Sequence, residues 1–248
     1  APITGAILRA AVDASLQRLR TDYIDLYQLH WPNRAAYHFR DIWSFDPRGG
    51  DKATIEAHMV EILEVAAELI AAGKIRHIAL SNESVWGASR WLALADTHGL
   101  PRMATVQNEY SLLCRQFDSD WAELAVMEEM PLLAYSPLAF GMLSGKYEGG
   151  ARPAKARLTE YSRFSRYFNP QSEAACSRYV ALAREHGLDP AQMALAFVTQ
   201  QPFVTSNIIG ATTLAQLDSN IASADLKLSK EVLEGIEAIQ KDHPNPAP

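Results

Sequence analysis

The 248 residues carry a formal net charge of −6, 48% apolar residues and two cysteines. A mildly acidic chain without a basic block excludes nucleic acid as the main partner, and the absence of an apolar run of about eighteen residues excludes a membrane-spanning helix. Cys114 and Cys176 form neither a disulfide framework nor a metal pattern and read as reduced thiols; with no basic and apolar leader at the front, a cytoplasmic protein is expected.

Residues 4–20 predict an amphipathic helix, with Ile7, Leu8, Ala11, Val12, Ser15, Leu16 and Leu19 on one stripe and Thr4 as N-cap. Tyr23, Ile24, Leu26, Tyr27 and Leu29 follow as a run too apolar for a surface strand and too short for a helix, which predicts a strand covered on both faces. It ends on His30, Trp31 and Pro32. Residues 33–54 predict a long loop, of the length compact domains keep for functional covers or disorder, and 55–72 a helix stopped at Gly73.

Residues 74–80 predict a second strand, closing on Ser81-Asn82, with His77 packed in the core. A helix over 85–98 stops at Gly99. A third strand over 103–106 runs into Gln107-Asn108-Glu109-Tyr110. A helix is predicted over 118–130, and a fourth strand over 131–134 runs into Tyr135-Ser136-Pro137-Leu138. Residues 139–171 form a second insertion, with 163–166 a solvated lid segment. Helices over 172–186 and 190–200 follow, the latter opened by Asp189-Pro190. A fifth strand spans 206–209, a helix over 213–222 opens with the capping box Thr213-x-x-Gln216, and 229–240 is a last helix before a Pro-rich tail expected to be loose.

Strands alternating with helices define an α/β chain with a parallel sheet, here taken as a single domain over 1–248. The carboxyl ends of strands two to five are small or polar, and ligands of parallel α/β proteins bind at such ends. No Gly-x-Gly-x-x-Gly follows a strand, which disfavours a Rossmann fold. A (β/α)8 TIM barrel fits better, with about five of its eight βα units present.

The run Asp-Tyr-Ile-Asp-Leu-Tyr-Gln-Leu-His-Trp-Pro ending at Pro32, then Ser81-Asn82, Gln107-Asn108-Glu109-Tyr110, Tyr135-Ser136-Pro137-Leu138 with Gly141, Ser144-Gly145-Lys146, and Ile209-Gly210-Ala211-Thr212-Thr213 resemble successive landmarks of the aldo-keto reductases. The resemblance extends from the first helix to the tail. Within the superfamily it is to the Tas-like bacterial branch, itself similar to the potassium-channel β-subunits. It implies a barrel that reduces aldehydes or ketones with NADPH, by an Asp-Tyr-Lys-His tetrad whose Tyr donates a proton as hydride arrives. His30 matches the tetrad His. Nothing in the chain matches the Asp, Tyr and Lys, which implies the C-terminal two-thirds of such a reductase, inactive by itself. A catalytically silent NADP(H)-binding or regulatory module is the alternative.

Each candidate residue also has a plainer role. His30 on spacing alone is a hydrogen-bonded structural residue, and the resemblance makes it catalytic. Trp31 is either core packing or a substrate-pocket wall. Ser81, Asn82 and Gln107 match residues that hold the nicotinamide carboxamide, or they cap strand ends. Tyr135 matches the ring that stacks on nicotinamide, or it packs. Ser136, Leu138, Gly141 and Lys146 resemble a pyrophosphate loop, with Lys146 otherwise a solvated lysine. Arg157 is assigned to the 2′-phosphate or adenine. Gly210 and Thr212 lead into a helix N-terminus suited to phosphate; Gln216 and Asn220 match positions near the adenosine, or serve as capping box and solvated face. No basic residue stands near Thr212 or Gln216, so a preference for NADPH over NADH rests on Lys146 and Arg157. The expected partner is a small carbonyl compound, with self-association through exposed barrel edges.

Overall fold

The computed structural model describes residues 2–38 and 42–247, so positions 39–41 of the predicted first loop lie outside the described residues. The chain clusters into two compact units. One runs to Asn108 and includes Glu123–Pro131; the other holds Glu109–Ala122 and everything from Leu132. Along both, strands alternate with helices and the described strand pairs are parallel, which is an α/β fold.

In the first unit, helix α1 (Gly5–Leu19) is capped by the Thr4 side chain, which accepts from the Ile7 amide, as the sequence predicts. Leu8 and Val12 are buried, but Ile7 and Leu19 of the predicted stripe are 45% and 63% exposed. At Gly5 a Cβ would lie 2.8 Å from Val65 Cγ2 of the next helix, so the two helices approach closely there. Strand β1 (Ile24–Leu29) pairs with β2 (Ile75–Ser81) from Ile24↔Ile75 to Leu29↔Leu80. The expectation of a strand covered on both faces is corrected: of β1 only Leu29 is buried, because β1 pairs with β2 alone among the described strands of this unit.

Helix α2 (Lys52–Ala71) begins three residues before the predicted start, since Asp51 accepts from the Thr54 amide at 2.8 Å and fixes the first turn. Met59, Ile62, Leu63 and Ala66 are fully buried beneath it, each large apolar side chain contributing about 1.5–3 kcal/mol. Helix α3 (Val85–His98) ends where predicted, at Gly99 with φ +64°. His77 is exposed rather than packed in the core. Its neighbour Arg76 also points outward, paired with Asp25 and lying 4.3 Å over the Tyr23 ring. Strand β3 (Val106–Glu109) starts later than predicted, and the polar Gln107-Asn108-Glu109 is inside the strand. It joins β2 through Leu80↔Val106 and Ser81↔Gln107. Helix α4 (Asp120–Met127) is shorter at both ends than the 118–130 expected.

In the second unit, β4 (Leu132–Tyr135) pairs with β5 (Val204–Ile208) through Leu133↔Ser206 and Tyr135↔Ile208. The insertion after β4 is built from short turns, including the one-turn helix α5 (Arg157–Glu160). Helices α6 (Pro170–Glu185), α7 (Pro190–Thr199), α8 (Leu214–Ala222) and α9 (Lys230–Asp242) are each opened by a side chain of the preceding residue, namely Asn169, Asp189, Thr213 and Ser229. Around Phe203, Tyr110 and Phe117 pack with ring centroids 5.3 and 5.1 Å away, an aromatic centre for this unit.

The tail is not loose. Pro246 O accepts from Asn169 Nδ2 and Ser172 Oγ at 2.9 and 2.8 Å, and the Ala247 amide donates to Leu113 O at 3.0 Å. Pro246 and Ala247 are buried. Both cysteines are free and buried. Among the described residues no helix is long and apolar enough to cross a membrane.

Candidate active site

In the first unit the carboxyl ends of β1, β2 and β3 carry a connected polar group. Gln28 lies near the end of β1, and His30 follows directly after its last residue, Leu29. Gln107 Nε2 donates to Gln28 Oε1 at 2.7 Å, and Gln28 Nε2 to Leu80 O at 3.3 Å. Ser81 Oγ donates to Gln107 O at 2.9 Å. Asn82 Nδ2 donates to His30 O at 2.8 Å and to Ser81 Oγ at 3.1 Å. Asn82 sits at φ +52°, a left-handed conformation that asparagine tolerates better than most residues. The His30 ring is exposed and stacks on Trp31, 4.6 Å between centroids at 9°.

His30, Trp31, Ser81, Asn82 and Gln107 are therefore brought together, and Ser81 and Asn82 do cap strand-end carbonyls. The bonds described here leave Gln107 Oε1 as an acceptor with no partner among the described residues. The sequence reading missed Gln28. Its signal was a polar side chain within an apolar run, two residues before His30. It also missed Glu83, whose buried carboxylate pairs with Arg34 and accepts from the Ser84 amide at 2.7 Å beneath the same rim.

In the second unit the segment after β4 is held in an unusual backbone. Ser136, Ala139 and Phe140 take φ of +55°, +46° and +55°, and Gly141 follows at +92°. Left-handed non-glycine residues cost about 1–2 kcal/mol each and cluster at ligand clamps. Ser136 O accepts from the Ala139 amide and Leu138 O from the Gly141 amide, both at 2.8 Å. At Gly141, whose φ of +92° favours glycine, a Cβ would lie 2.7 Å from Lys146 Nζ, so the lysine end would have to move aside for any other residue. Desolvation lowers the pKa of Lys146, and its ammonium lies 5.3 Å from the Tyr147 ring with no acidic partner among the described residues. Arg157 is exposed, with its guanidinium 4.0 Å over Phe140 and 5.2 Å from Phe164. Gly141, Lys146 and Arg157 thus share one loop surface. Tyr135 is half-buried at the head of this segment.

The predicted solvated lid at 163–166 is corrected at Arg166. Its guanidinium pairs with the buried Glu109 carboxylate, which also accepts from Tyr167 OH at 2.6 Å. The Arg163 side chain lies outside the described residues. Burial pushes the Glu109 pKa up against the pull of Arg166 and Tyr167, and burial pushes the Tyr167 pKa up as well. At α8, Thr213 accepts from the Gln216 amide at 3.2 Å, while Gln216 Oε1 accepts from the Thr212 amide at 2.9 Å. The box therefore closes one residue earlier than the motif implies. Gly210, Thr212 and Gln216 are exposed, and Asn220 is buried.

The polar strand-end rim of the first unit and the strained cationic loop of the second are the candidate ligand-binding features of this α/β fold. A model of the Aldo/keto reductase family matches residues 3–241, and the chain belongs to that family. It is 50% identical over 244 residues to Protein tas of Escherichia coli (strain K12), covering 97% of this chain and 68% of that protein. It is 37% identical over 222 residues to an aldo-keto reductase of Babesia bovis, covering 85% and 77%. It is also 31% identical over 236 residues to the uncharacterized oxidoreductase YrpG of Bacillus subtilis (strain 168), covering 94% and 63%. The five strands and their helices are consistent with part of the (β/α)8 TIM barrel.

Proposed function

We propose that this chain binds NADP(H) and serves the reduction of an aldehyde or ketone to an alcohol. The observation that carries the reading is the Gln28–Gln107–Ser81–Asn82–His30 network. It fixes amide and hydroxyl groups at strand ends and leaves the Gln107 Oε1 acceptor for a carboxamide N–H. The turn through Ser136–Leu138 to Gly141, left-handed at Ser136, Ala139, Phe140 and Gly141, with Lys146 beside it and Arg157 nearby, suits a pyrophosphate and a 2′-phosphate. Tyr135 supplies a ring for stacking on nicotinamide. Gly210 and Thr212 before α8, Gln216 in its first turn and Asn220 one turn further along suit the adenosine end.

When bound, the dinucleotide supplies the hydride. His30 orients the carbonyl oxygen by its ring N–H or relays the proton, with the ring held by Trp31 stacking and the backbone by Asn82. Trp31 forms a wall for the substrate. We place the family's proton-donating Tyr, with its Lys and Asp, outside these 248 residues, so they alone lack an effect worth about 10²–10⁴-fold. The test is NADPH titration of the chain followed by a carbonyl-reduction assay. Binding with turnover far below that of a full-length relative supports the reading; full turnover by these residues, or no binding, contradicts it. A silent NADP(H)-binding module remains the second reading, as the small polar cluster binds without needing an acid; it is favoured if a longer chain also fails to turn over. The open edge of β1 further leads us to expect concentration-dependent self-association.

A further inference from the structure

Given the 2′-phosphate role proposed above for Arg157, we propose that Glu109 is a positioning residue that sets the choice between NADPH and NADH by holding Arg157 in place. Glu109 ends β3, belongs to the second unit and is buried. Its carboxylate pairs with Arg166 and accepts from Tyr167 OH at 2.6 Å, and the Arg166 guanidinium also donates to Tyr167 OH at 2.7 Å. One buried acid thereby fastens two consecutive residues of the insertion that follows β4. Removing one partner of a buried ion pair leaves the other charge uncompensated, so the segment is held firmly only while Glu109 is ionised.

That segment carries the rings on which Arg157 rests. Tyr167 and Phe164 pack on Phe140 with centroids 5.1 and 4.7 Å away. Phe140, at φ +55°, is part of the strained turn. Arg157 lies over Phe140 and reaches Phe164, and it enters no ion pair among the described residues, so these rings set its place. A guanidinium over a ring face keeps N–H donors for an anion. Contacts therefore run unbroken from Glu109 through Arg166 and Tyr167 to Phe140 and Arg157. NADPH and NADH differ only by the 2′-phosphate. A residue acting through Arg157 moves one affinity and not the other, whereas one that merely supports the fold moves both.

Fluorescence titrations of the 248-residue chain with NADPH and with NADH test this in the wild type, Arg157→Met, Glu109→Gln and the double variant. Each single substitution is expected to weaken NADPH about tenfold and leave NADH within about twofold, with the double variant no weaker than either. The direction is diagnostic: loss of a negative charge at Glu109 would by long-range attraction strengthen NADPH, so weakening reports the placement of Arg157. Tyr167→Phe keeps the ring and loses one bond to Glu109. It is expected to show a smaller NADPH-specific loss, about threefold, and it decides if Glu109→Gln fails to fold. An unchanged NADPH affinity, equal losses for both nucleotides, or additive losses in the double variant would overturn the role of Glu109 while the selective loss in Arg157→Met left the phosphate assignment standing. Unaltered NADPH affinity in Arg157→Met would overturn both.

Discussion

The side-chain amide of Asn82 donates to the backbone carbonyl of His30 at 2.8 Å, tying the end of β2 to the exit of β1. One residue with a left-handed backbone thereby ties down His30, the residue proposed to meet the carbonyl. Asn82→Ala removes this bond and the one to Ser81, and it places alanine at a positive φ. We expect a loss of about 1–3 kcal/mol in urea unfolding, with NADPH affinity reduced. An unchanged midpoint and affinity would show that the tie is dispensable.

The thiols are shielded. Burial pushes the Cys176 thiol up to about 12 and the Cys114 thiol higher still, and Cys176 Sγ donates to Met142 O at 3.0 Å. Because the thiolate is the nucleophile, neither cysteine reacts with a disulfide reagent at about pH 8 in the native chain, and both react once it is unfolded in denaturant. A fast native phase would contradict this packing.

Docking of the tail is a stability element. Besides the bonds to Pro246 and Ala247, the Arg115 amide donates to Asn245 Oδ1 at 2.6 Å. Deleting residues from Asn245 onward removes the tail partners of the Arg115 amide, Ser172 Oγ and Leu113 O, at a cost of about 2–4 kcal/mol, while Asn169 Nδ2 keeps its bonds to Arg166 O and Ser172 Oγ. Thermal melting of the truncated chain checks this, and an unaltered Tm would mean that the tail contributes nothing.

Much of the helical layer was legible because its signals are local. Thr4, Asp189-Pro190, Thr213 and Gly99 mark helix ends through bonds or angles spanning at most four residues, and the structure places them where the sequence does. What the sequence hid depends on long-range partners. Arg166 looked solvated because its acid, Glu109, is 57 residues away. The tail looked loose because its acceptors and donors, Leu113 and Ser172, carry no local mark. β1 reads as fully covered because its apolar residues match a buried strand, whereas burial depends on what lies beside it. At the rim, Ser81, Asn82 and Gln107 were legible as polar strand ends, but Gln28 was masked by the apolar residues around it.

We expect Lys146 to make nucleotide binding pH-dependent. Desolvation holds its pKa below the usual lysine range. Only the protonated form attracts a phosphate, so affinity is complete below that pKa and falls as pH rises through it, at a lower pH than an exposed lysine would give. Titrations from about pH 7 to about pH 10 should show this fall, and Lys146→Met should flatten it. An identical profile in the variant would place the phosphate elsewhere.

A fluorescence titration of these 248 residues with NADPH, beside the Gln107→Ala and Lys146→Met variants, probes the rim and the loop together. We expect saturable binding with one dinucleotide per chain, weakened roughly tenfold or more by each substitution, the equivalent of about 1.4 kcal/mol. No saturable binding by the folded chain, or equal affinity in all three proteins, would contradict a dinucleotide held by these residues.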